Sequence, residues 1–324
     1  MTGPRDQYID FLRGTALLLL VVAHCSAPAL LMALRTFDVP LMVFISALCF
    51  HPSGSYCKYC LKRLRRIYMP TALFLCLLFG LSAALPIVPV ALMTPRIIAG
   101  SFLLWNWPAI PFVWVMRVFL LVAVAIPLLH HAVSHLRLWQ LAALLAAGYA
   151  VQTLASSSID TESGRALIFF TRDYVLYLGG YSIIAAAGLA CRRGHKEQVM
   201  VLVLGIAAVA LHIAIYGTFD PQADKYPPSG LYLGYGCACS AGLLMLRPQL
   251  ARLGNLYAFR YLSANSMWIY LWHTIPVFIM RNLDLFPESW IVRFCFVLVS
   301  ALALHTLWCR LRDCVPAPVA AIME

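Results

Sequence analysis

Residues 10–24, DFLRGTALLLLVVAH, place an arginine and a histidine around an apolar run. Arg13 and His24 are eleven residues apart. On a continuous α-helix this spacing is about 1100° of rotation, roughly 20° beyond three turns, so both side chains would share one face about 16 Å apart along the axis. An imidazole can take a proton from a hydroxyl near pH 7. Ionisable residues inside a membrane span usually mark a pathway or a reaction centre, which is what this pair predicts.

Each of these residues also has an interpretation without function. Arg13 can extend its side chain to the lipid headgroups. Asp10, three residues earlier, can pair with Arg13 on the helix surface and interact favourably with the helix dipole. A neutral His24 can form a hydrogen bond to another helix. The spacing alone leaves these interpretations open.

A second polar feature is the sequence KYCLKRLRRIYMP, residues 58–70, predicted between the second and third spans with a proline opening the next helix. A cytoplasmic loop would explain positive charge, but not five cations within nine positions. Several arginine guanidinium groups together suit a polyanion, such as the 3′-phosphate and pyrophosphate of coenzyme A. A phosphorylated donor at this segment and an imidazole inside the membrane together indicate group transfer.

The elements that must position these residues are membrane helices. The chain has 324 residues, of which 62% are hydrophobic and 11% are charged. A soluble domain would carry about 25% charged residues, so this is a polytopic membrane protein of the all-α class. The apolar segments predict ten helices, at 12–33, 39–52, 70–90, 111–132, 138–155, 166–190, 198–216, 229–246, 262–280 and 290–309.

The distribution of positive charge predicts the orientation of these helices. Of the 24 Lys and Arg residues, fifteen fall on the side of the amino terminus, seven on the opposite side and two within spans. This bias predicts that both termini are cytoplasmic. The net charge of +11 then reflects topology and attraction to anionic lipid, and nothing in the sequence indicates a nucleic-acid-binding fold.

The eleven cysteines indicate neither a disulfide framework nor a metal centre. An odd number, lying within spans or on the predicted reducing side, argues against disulfides. Cys57 and Cys60 form a CxxC motif without a second pair, which is weak evidence for a metal site. We therefore expect no metal.

Several of these segments resemble acyltransferase family 3, a family of integral-membrane enzymes that mostly O-acetylate surface polysaccharides. DFLRG followed by His24 is similar to the family's Arg-x10-His signature on the first helix. FDVPLMVFISALCF, residues 37–50, resembles its second-helix pattern, with Ala47 in place of the usual glycine. RLRRIYMP, residues 63–70, resembles its Arg-x-x-Arg motif before a proline. FVWVMRVFLLVAVAIPLL (112–129), FFTRDYVLYL (169–178) and WIYLWH (268–273) also resemble family segments.

The resemblance implies one transmembrane acyltransferase domain over residues 1–324, with a short tail from about 310 and no fused soluble domain. It implies that His24 is the catalytic imidazole, acting as general base or as transient acyl carrier, with Arg13 on the coenzyme side and Asp10 beside it. It further implies acetyl-CoA, or another acyl-CoA, as co-substrate. The remaining site residues are Arg63, Arg65 and Arg66 for the coenzyme, and Trp114, Arg117 and His273 for the acceptor.

The expected reaction is therefore transfer of an acyl group, first of all acetyl, to a hydroxyl of a lipid-linked or extracytoplasmic glycan at the bacterial inner membrane. A proton- or ion-coupled transporter is the main alternative, with His24, His212, His273 and His305 as a relay. Such transporters usually show an internal repeat, which this sequence lacks. The acyl group, the acceptor and the oligomeric state stay open, a homo-oligomer included.

Overall fold

The computed structural model describes residues 5–52, 54–105, 108–158, 168 and 170–314. This part of the chain consists of helices, turns and loops without a β-strand, which confirms the all-α class. The α-helices are α1 Gln7–Val22, α2 Ala29–Leu34, α3 Asp38–Leu48, α4 Tyr56–Ala84, α5 Pro95–Phe102, α6 Val113–Ser134, α7 Leu138–Ser158, α8 Tyr177–Cys191, α9 His195–Tyr216, α10 Gly230–Met245, α11 Arg247–Leu250, α12 Tyr257–Ala264, α13 Ser266–Trp272, α14 Thr274–Asn282 and α15 Trp290–Asp313.

Within the described residues, seven helical segments are long and apolar enough to cross a membrane. They are Ala29–Leu48, Tyr56–Ala84, Val113–Ser134, Leu138–Ser158, Thr171–Cys191, His195–Tyr216 and Trp290–Asp313, and Gly230–Met245 is a shorter apolar helix. The ten-span count and the cytoplasmic termini stay predictions. The start of the predicted helix 166–190 and the end of the predicted tail lie partly outside the described residues.

The contacts of the chain divide it into two compact units. The first unit comprises residues 1–19, 30–53 and 121–264, and the second comprises residues 20–29, 54–120 and 265–324. Arg13 and Asp10 belong to the first unit, whereas His24 and the cationic segment belong to the second. The prediction of one domain over the whole chain stays a prediction.

The first unit is held by close helix packing at small residues. A Cβ added at Gly205 of α9 would lie 2.6 Å from the carbonyl oxygen of Gly234 on α10. A Cβ added at Gly188 of α8 would lie 2.4 Å from the carbonyl oxygen of Phe44 on α3. Such close backbone approach replaces the hydrophobic effect as the source of cohesion between helices in lipid.

The second unit is held by aromatic packing. Trp268 and Trp272 of α13 lie 4.9 and 5.5 Å from Trp308 of α15, measured between ring centroids. Phe74 of α4 meets Trp272 edge to face at 5.4 Å. These contacts fix α4, α13 and α15 around the residues that form the candidate site below.

The predicted continuous helix over 12–33 is wrong, because α1 ends at Val22. The His24 amide donates to the Val21 carbonyl at 3.0 Å, an i to i−3 bond of the kind that closes helix ends. Two residues after Val22 prevent the helix from continuing: Ser26 has a positive φ of 56°, outside right-handed helical geometry, and Pro28 has no amide hydrogen and disfavours helical geometry at the residue before it. His24 therefore lies in the turn after α1, and the shared-face geometry calculated for a continuous helix does not apply.

The cationic segment is not a loop that ends where a helix opens at Pro70, as the sequence predicted. It is the first part of α4, a helix of 29 residues with Pro70 inside it. That length corresponds to about 43 Å, whereas the hydrocarbon core of a bilayer is about 30 Å thick. Helix α4 is therefore long enough to cross the membrane and to carry its cations beyond the hydrocarbon.

The predicted helix over 262–280 is also interrupted. Its range is divided among α12, α13 and α14, and the residues between these helices are Asn265 and His273. Polar side chains at helix interruptions inside membrane proteins line buried or hydrated sites, because exposed backbone polar groups are too costly in lipid.

Candidate functional site

In the second unit, two imidazoles and a phenyl ring meet. The rings of His24 and His273 lie 5.2 Å apart between centroids. Phe112 contacts both of them edge to face, at 4.9 Å from His24 and 5.6 Å from His273. Residues from the turn after α1, the segment before α6 and the break between α13 and α14 thus converge on one point.

His273 is fully buried, and its two ring nitrogens have different surroundings. Its Nδ1 contacts the carbonyl oxygen of Tyr270. A carbonyl only accepts hydrogen bonds, so Nδ1 carries the hydrogen and Nε2 carries the lone pair. Among the described residues, Nε2 is buried without a hydrogen-bond partner.

Tyr270 connects the histidine to the phenylalanine. Its hydroxyl donates to the carbonyl oxygen of Phe112 at 2.6 Å, and its ring lies 5.0 Å from that of His273. Tyr270 thus takes part in two contacts with backbone carbonyls: its hydroxyl donates to Phe112, and its own carbonyl accepts from Nδ1 of His273. The bond to Phe112 fixes the segment before α6 relative to α13. The arrangement of the two rings around His24 is therefore held by main-chain contacts.

A small apolar cavity adjoins these rings. It is lined by residues of α4, of α6 and the segment before it, and of α13 and α14: Thr71, Phe74, Leu75, Ile110, Phe112, Val113, Met116, Tyr270, Leu271 and Thr274. Phe112 and Tyr270 belong both to the cavity wall and to the histidine group. The cavity is suited to an apolar or slender group, and it lies next to a potential proton acceptor.

Two predicted acceptor residues lie on α6 in the same unit. Met116 lines the cavity, and the next residue, Arg117, is buried to 3% exposure. Trp114 is half-buried, one residue after the cavity-lining Val113. With His273, these are the three residues predicted for the acceptor, and all of them lie in the second unit.

The predicted coenzyme residues lie near the amino-terminal end of α4. Arg63 is half-buried, with its guanidinium 5.2 Å from the centroid of the Tyr59 ring, while Arg65 and Arg66 are exposed. Arg63 and Phe74 are eleven residues apart on α4, so by helix geometry they share a face about 16 Å apart. The sequence predicted that Arg13 and His24 share a helix face about 16 Å apart. On α4, a cation and a cavity-lining residue have that arrangement.

The other two predicted catalytic residues, Asp10 and Arg13, belong to the first unit. Asp10 is 2% exposed and accepts from Arg5 at 2.5 and 3.0 Å and from the Ser263 hydroxyl at 2.6 Å. Arg13 is half-buried on α1. The structure therefore brings His24 together with His273, and it gives Asp10 two partners that the sequence did not suggest.

One comparison with known proteins identifies the family of the chain. A family model, described as an acyltransferase domain, matches residues 6–307. The chain belongs to acyltransferase family 3. Its apolar helices make it an integral-membrane acyltransferase. No curated protein and no solved structure matches the chain.

Sequence reasoning missed Phe112 and Tyr270 in this acyltransferase. Phe112 opens the segment FVWVMRVFLL and Tyr270 lies in WIYLWH, and both segments are similar to those of the family. That similarity was the signal that could have found them, since neither residue is polar enough to stand out inside an apolar run. Their importance follows from the rings that they contact.

The histidines proposed for a transport relay have separate surroundings in the acyltransferase. His212 lies 3.6 Å from a carboxylate oxygen of Asp224 in the first unit. In the second unit, His305 Nε2 lies 3.6 Å from the Sγ of Cys309. Of the four histidines, His24 and His273 bring their rings together.

Proposed function

We propose that this protein is an acyl-CoA-dependent O-acyltransferase, which moves an acyl group, first of all acetyl, to a hydroxyl of a lipid-linked or extracytoplasmic glycan. The family supports acyl transfer. The observation that carries the coenzyme assignment is α4, which bears the arginines at one end and farther along lines the cavity whose wall includes Phe112, a neighbour of His24. We place the reaction in a bacterial inner membrane, with acyl-CoA supplied from the cytoplasm.

The dimensions of α4 suit the shape of the donor. The phosphates of acyl-CoA are too polar for lipid and bind arginine well, so they stay near Arg63 and Arg66. An extended pantetheine arm is on the order of 15–20 Å long by the reach of its chain bonds, similar to the axial distance from Arg63 to Phe74. The thioester then arrives at the apolar cavity while the phosphates remain outside the hydrocarbon.

At the cavity, His24 acts as general base. Its ring nitrogen takes the proton of the acceptor hydroxyl while the hydroxyl oxygen attacks the thioester carbonyl. The carbon–sulfur bond then breaks, and the leaving thiolate takes the proton from His24. The negative charge that develops on the carbonyl oxygen needs a nearby donor in a low-dielectric site, and the buried Arg117 on α6 is the candidate.

The remaining predicted residues have supporting roles in this proposal. Trp114 offers a ring face for the acceptor sugar, and Arg65 adds positive charge beside the coenzyme phosphates. Arg13 keeps the role on the coenzyme side that the resemblance implies. No metal takes part in the scheme, because the imidazole supplies the base and the thioester is already activated.

The test is acyl transfer by the purified protein in liposomes. Labelled acetyl-CoA is supplied with a hydroxyl acceptor, and free coenzyme A thiol and labelled product are both measured. We expect His24→Ala to lower the rate by about 10²–10⁴-fold, the usual range for a general base, while insertion and melting temperature are retained. A His24→Ala variant with near-normal transfer would contradict the assignment.

The matched control is His212→Gln, which removes an imidazole from the first unit and should leave transfer unchanged. The transporter alternative predicts the reverse pattern, namely proton flux into liposomes without acyl-CoA and loss of that flux in both histidine variants. An acyl-histidine trapped in the absence of acceptor would show that His24 carries the acyl group covalently rather than acting only as a base.

A further inference from the structure

The second imidazole of the site has a geometry that acceptor binding does not require. His273 is fully buried, its Nδ1–H is used by the Tyr270 carbonyl, and its Nε2 lone pair has no partner among the described residues. A buried polar atom without a hydrogen bond costs about 1–3 kcal/mol. The ring of His24 can donate a hydrogen, and its centroid lies 5.2 Å from that of His273.

We propose that His273 is a positioning residue for His24. One ring N–H of His24 donates to Nε2 of His273, which fixes the tautomer and the rotation of the His24 ring. The other His24 nitrogen then presents its lone pair to the acceptor hydroxyl. The inference rests on the proposed function for its consequence, but the hydrogen bond itself is independent of any substrate.

The surroundings of His273 leave it one hydrogen-bonding arrangement. The Tyr270 carbonyl cannot donate, so the tautomer of His273 is set from one side. Phe112 packs edge to face against both imidazoles and restricts their rotation. This is the arrangement of a base oriented by a third group, with a neutral imidazole in the place usually taken by a carboxylate.

In the proposed reaction, only His24 gains and then loses the transferred proton. His24 receives the hydroxyl proton on the nitrogen that faces the acceptor, and becomes an imidazolium that still donates to His273. The proton then passes to the leaving thiolate, which returns His24 to its starting tautomer. His273 neither gains nor loses a proton overall.

The first test is made on the wild-type protein without substrate, by nuclear magnetic resonance with ¹⁵N-labelled histidine. We expect a scalar coupling across the N–H···N hydrogen bond between one His24 nitrogen and Nε2 of His273. The His24 and His273 signals are assigned by their loss in His24→Gln and His273→Gln. Absence of the coupling, or a mixture of His24 tautomers, would overturn the proposal whether or not the protein transfers acyl groups.

The second test compares two substitutions that keep different halves of His273. In His273→Asn, the side-chain amide can still donate to the Tyr270 carbonyl, but nothing reaches the position of Nε2. In His273→Gln, an oxygen can accept at that position. We expect His273→Asn to lower kcat about a hundredfold with KM for acyl-CoA unchanged, as a misplaced reacting group does, and His273→Gln to retain most of the activity.

A purely structural role for His273 predicts a different result. Asn would then preserve activity, because it keeps the contact with Tyr270, and equal activities of the two variants would contradict the proposal. If the wild type transfers no acyl group while the coupling is present, the positioning inference stands and the proposed function fails. His305→Gln is the control, since it removes an imidazole elsewhere in the same unit.

Discussion

Two groups of buried polar side chains, one in each unit, have different arrangements. In the first unit, Arg35 and Asp38 have side chains 2% and 1% exposed and pair at 2.6 Å, and Lys225 lies 3.7 Å from the same carboxylate. In the second unit, His24 and His273 meet ring to ring, and Nε2 of His273 has no hydrogen bond among the described residues. The first arrangement leaves the Asp38 carboxylate little capacity for another partner, whereas the second leaves a lone pair that can accept from the neighbouring His24 and orient it.

The difference indicates that the Asp38 network stabilises the fold, whereas the histidine pair serves the reaction. The Asp38 carboxylate accepts from Arg35 and from the Val39 amide at the start of α3, and Arg35 also donates to Gln222 at 2.7 Å. Burial lowers the pKa of Lys225, although Asp38 acts in the opposite direction. Such a network fixes where α3 begins relative to the loop before α10. Transfer chemistry instead needs a group that can exchange a proton, which a saturated carboxylate cannot do easily.

The largest stability effect should come from breaking the buried pair. Arg35→Met removes the closer cation from the buried Asp38 carboxylate and leaves it with Lys225 at 3.7 Å, and removal of one partner of a buried ion pair typically costs about 3–5 kcal/mol. We expect a large fall in melting temperature in detergent, with transfer lost because the protein unfolds.

The control for that experiment is Arg247→Gln, at a pair with Asp6 in which both side chains are exposed, 49% and 38%. Exposed ion pairs contribute about 0–1 kcal/mol, so this variant should melt close to the wild type. Equal losses in the two variants would show that burial is not what distinguishes the Arg35–Asp38 pair.

The comparison also shows which parts of the molecule the sequence could predict. Composition was sufficient for the all-α class, because so many apolar residues cannot all face a single globular core and must contact lipid. Pro28 indicated a break in the helix predicted over 12–33, but the long apolar run favoured a continuous helix. The helical start of α4 was obscured because its cations suggested a loop, although Leu, Lys and Arg are good helix formers.

The candidate site itself could be predicted only in part. His24 was recognisable from its position in an apolar run and from the family signature. Its contacts with Phe112 and His273 join segments far apart along the chain, and no local periodicity encodes such a meeting. The partners of Asp10 were missed for the same reason, since Ser263 is 253 residues away.

The next largest effect should be on coenzyme binding in the second unit. Hydrogen bonds to charged groups contribute about 1.5–3 kcal/mol, so Arg63→Ala or Arg66→Ala should raise KM for acyl-CoA by about ten- to a hundredfold with little change in kcat. Higher salt should weaken wild-type binding in the same direction. Titration of acyl-CoA in the transfer assay measures both.

Lys62→Ala and Arg65→Ala are the matched controls on the same turns of α4, and we expect smaller effects from them. Arg63 shares its face with Phe74, whereas Lys62 and Arg65 lie on other faces of the helix. Equal losses at all four positions would indicate a general effect of positive charge on topology rather than a phosphate site.

The smallest effect tests Asp10, a buried carboxylate of the first unit that accepts hydrogen bonds from Arg5 and Ser263 and that was also predicted to be catalytic. Its partner Arg5 has a side chain 56% exposed, so Arg5 can return to water when the carboxylate is removed. We therefore expect Asp10→Asn to cost about 1–2 kcal/mol, less than Arg35→Met, because no buried charge is left alone. Ser263→Ala, which removes the hydroxyl that donates to Asp10, should cost about 1 kcal/mol.

If Asp10 only stabilises the fold, kcat stays near the wild-type value in both variants while the melting temperature falls slightly. A large fall in kcat in Asp10→Asn, with the melting temperature and the Ser263→Ala variant unaffected, would instead show that the carboxylate takes part in the reaction. The buried carboxylates of the first unit would then not be purely structural.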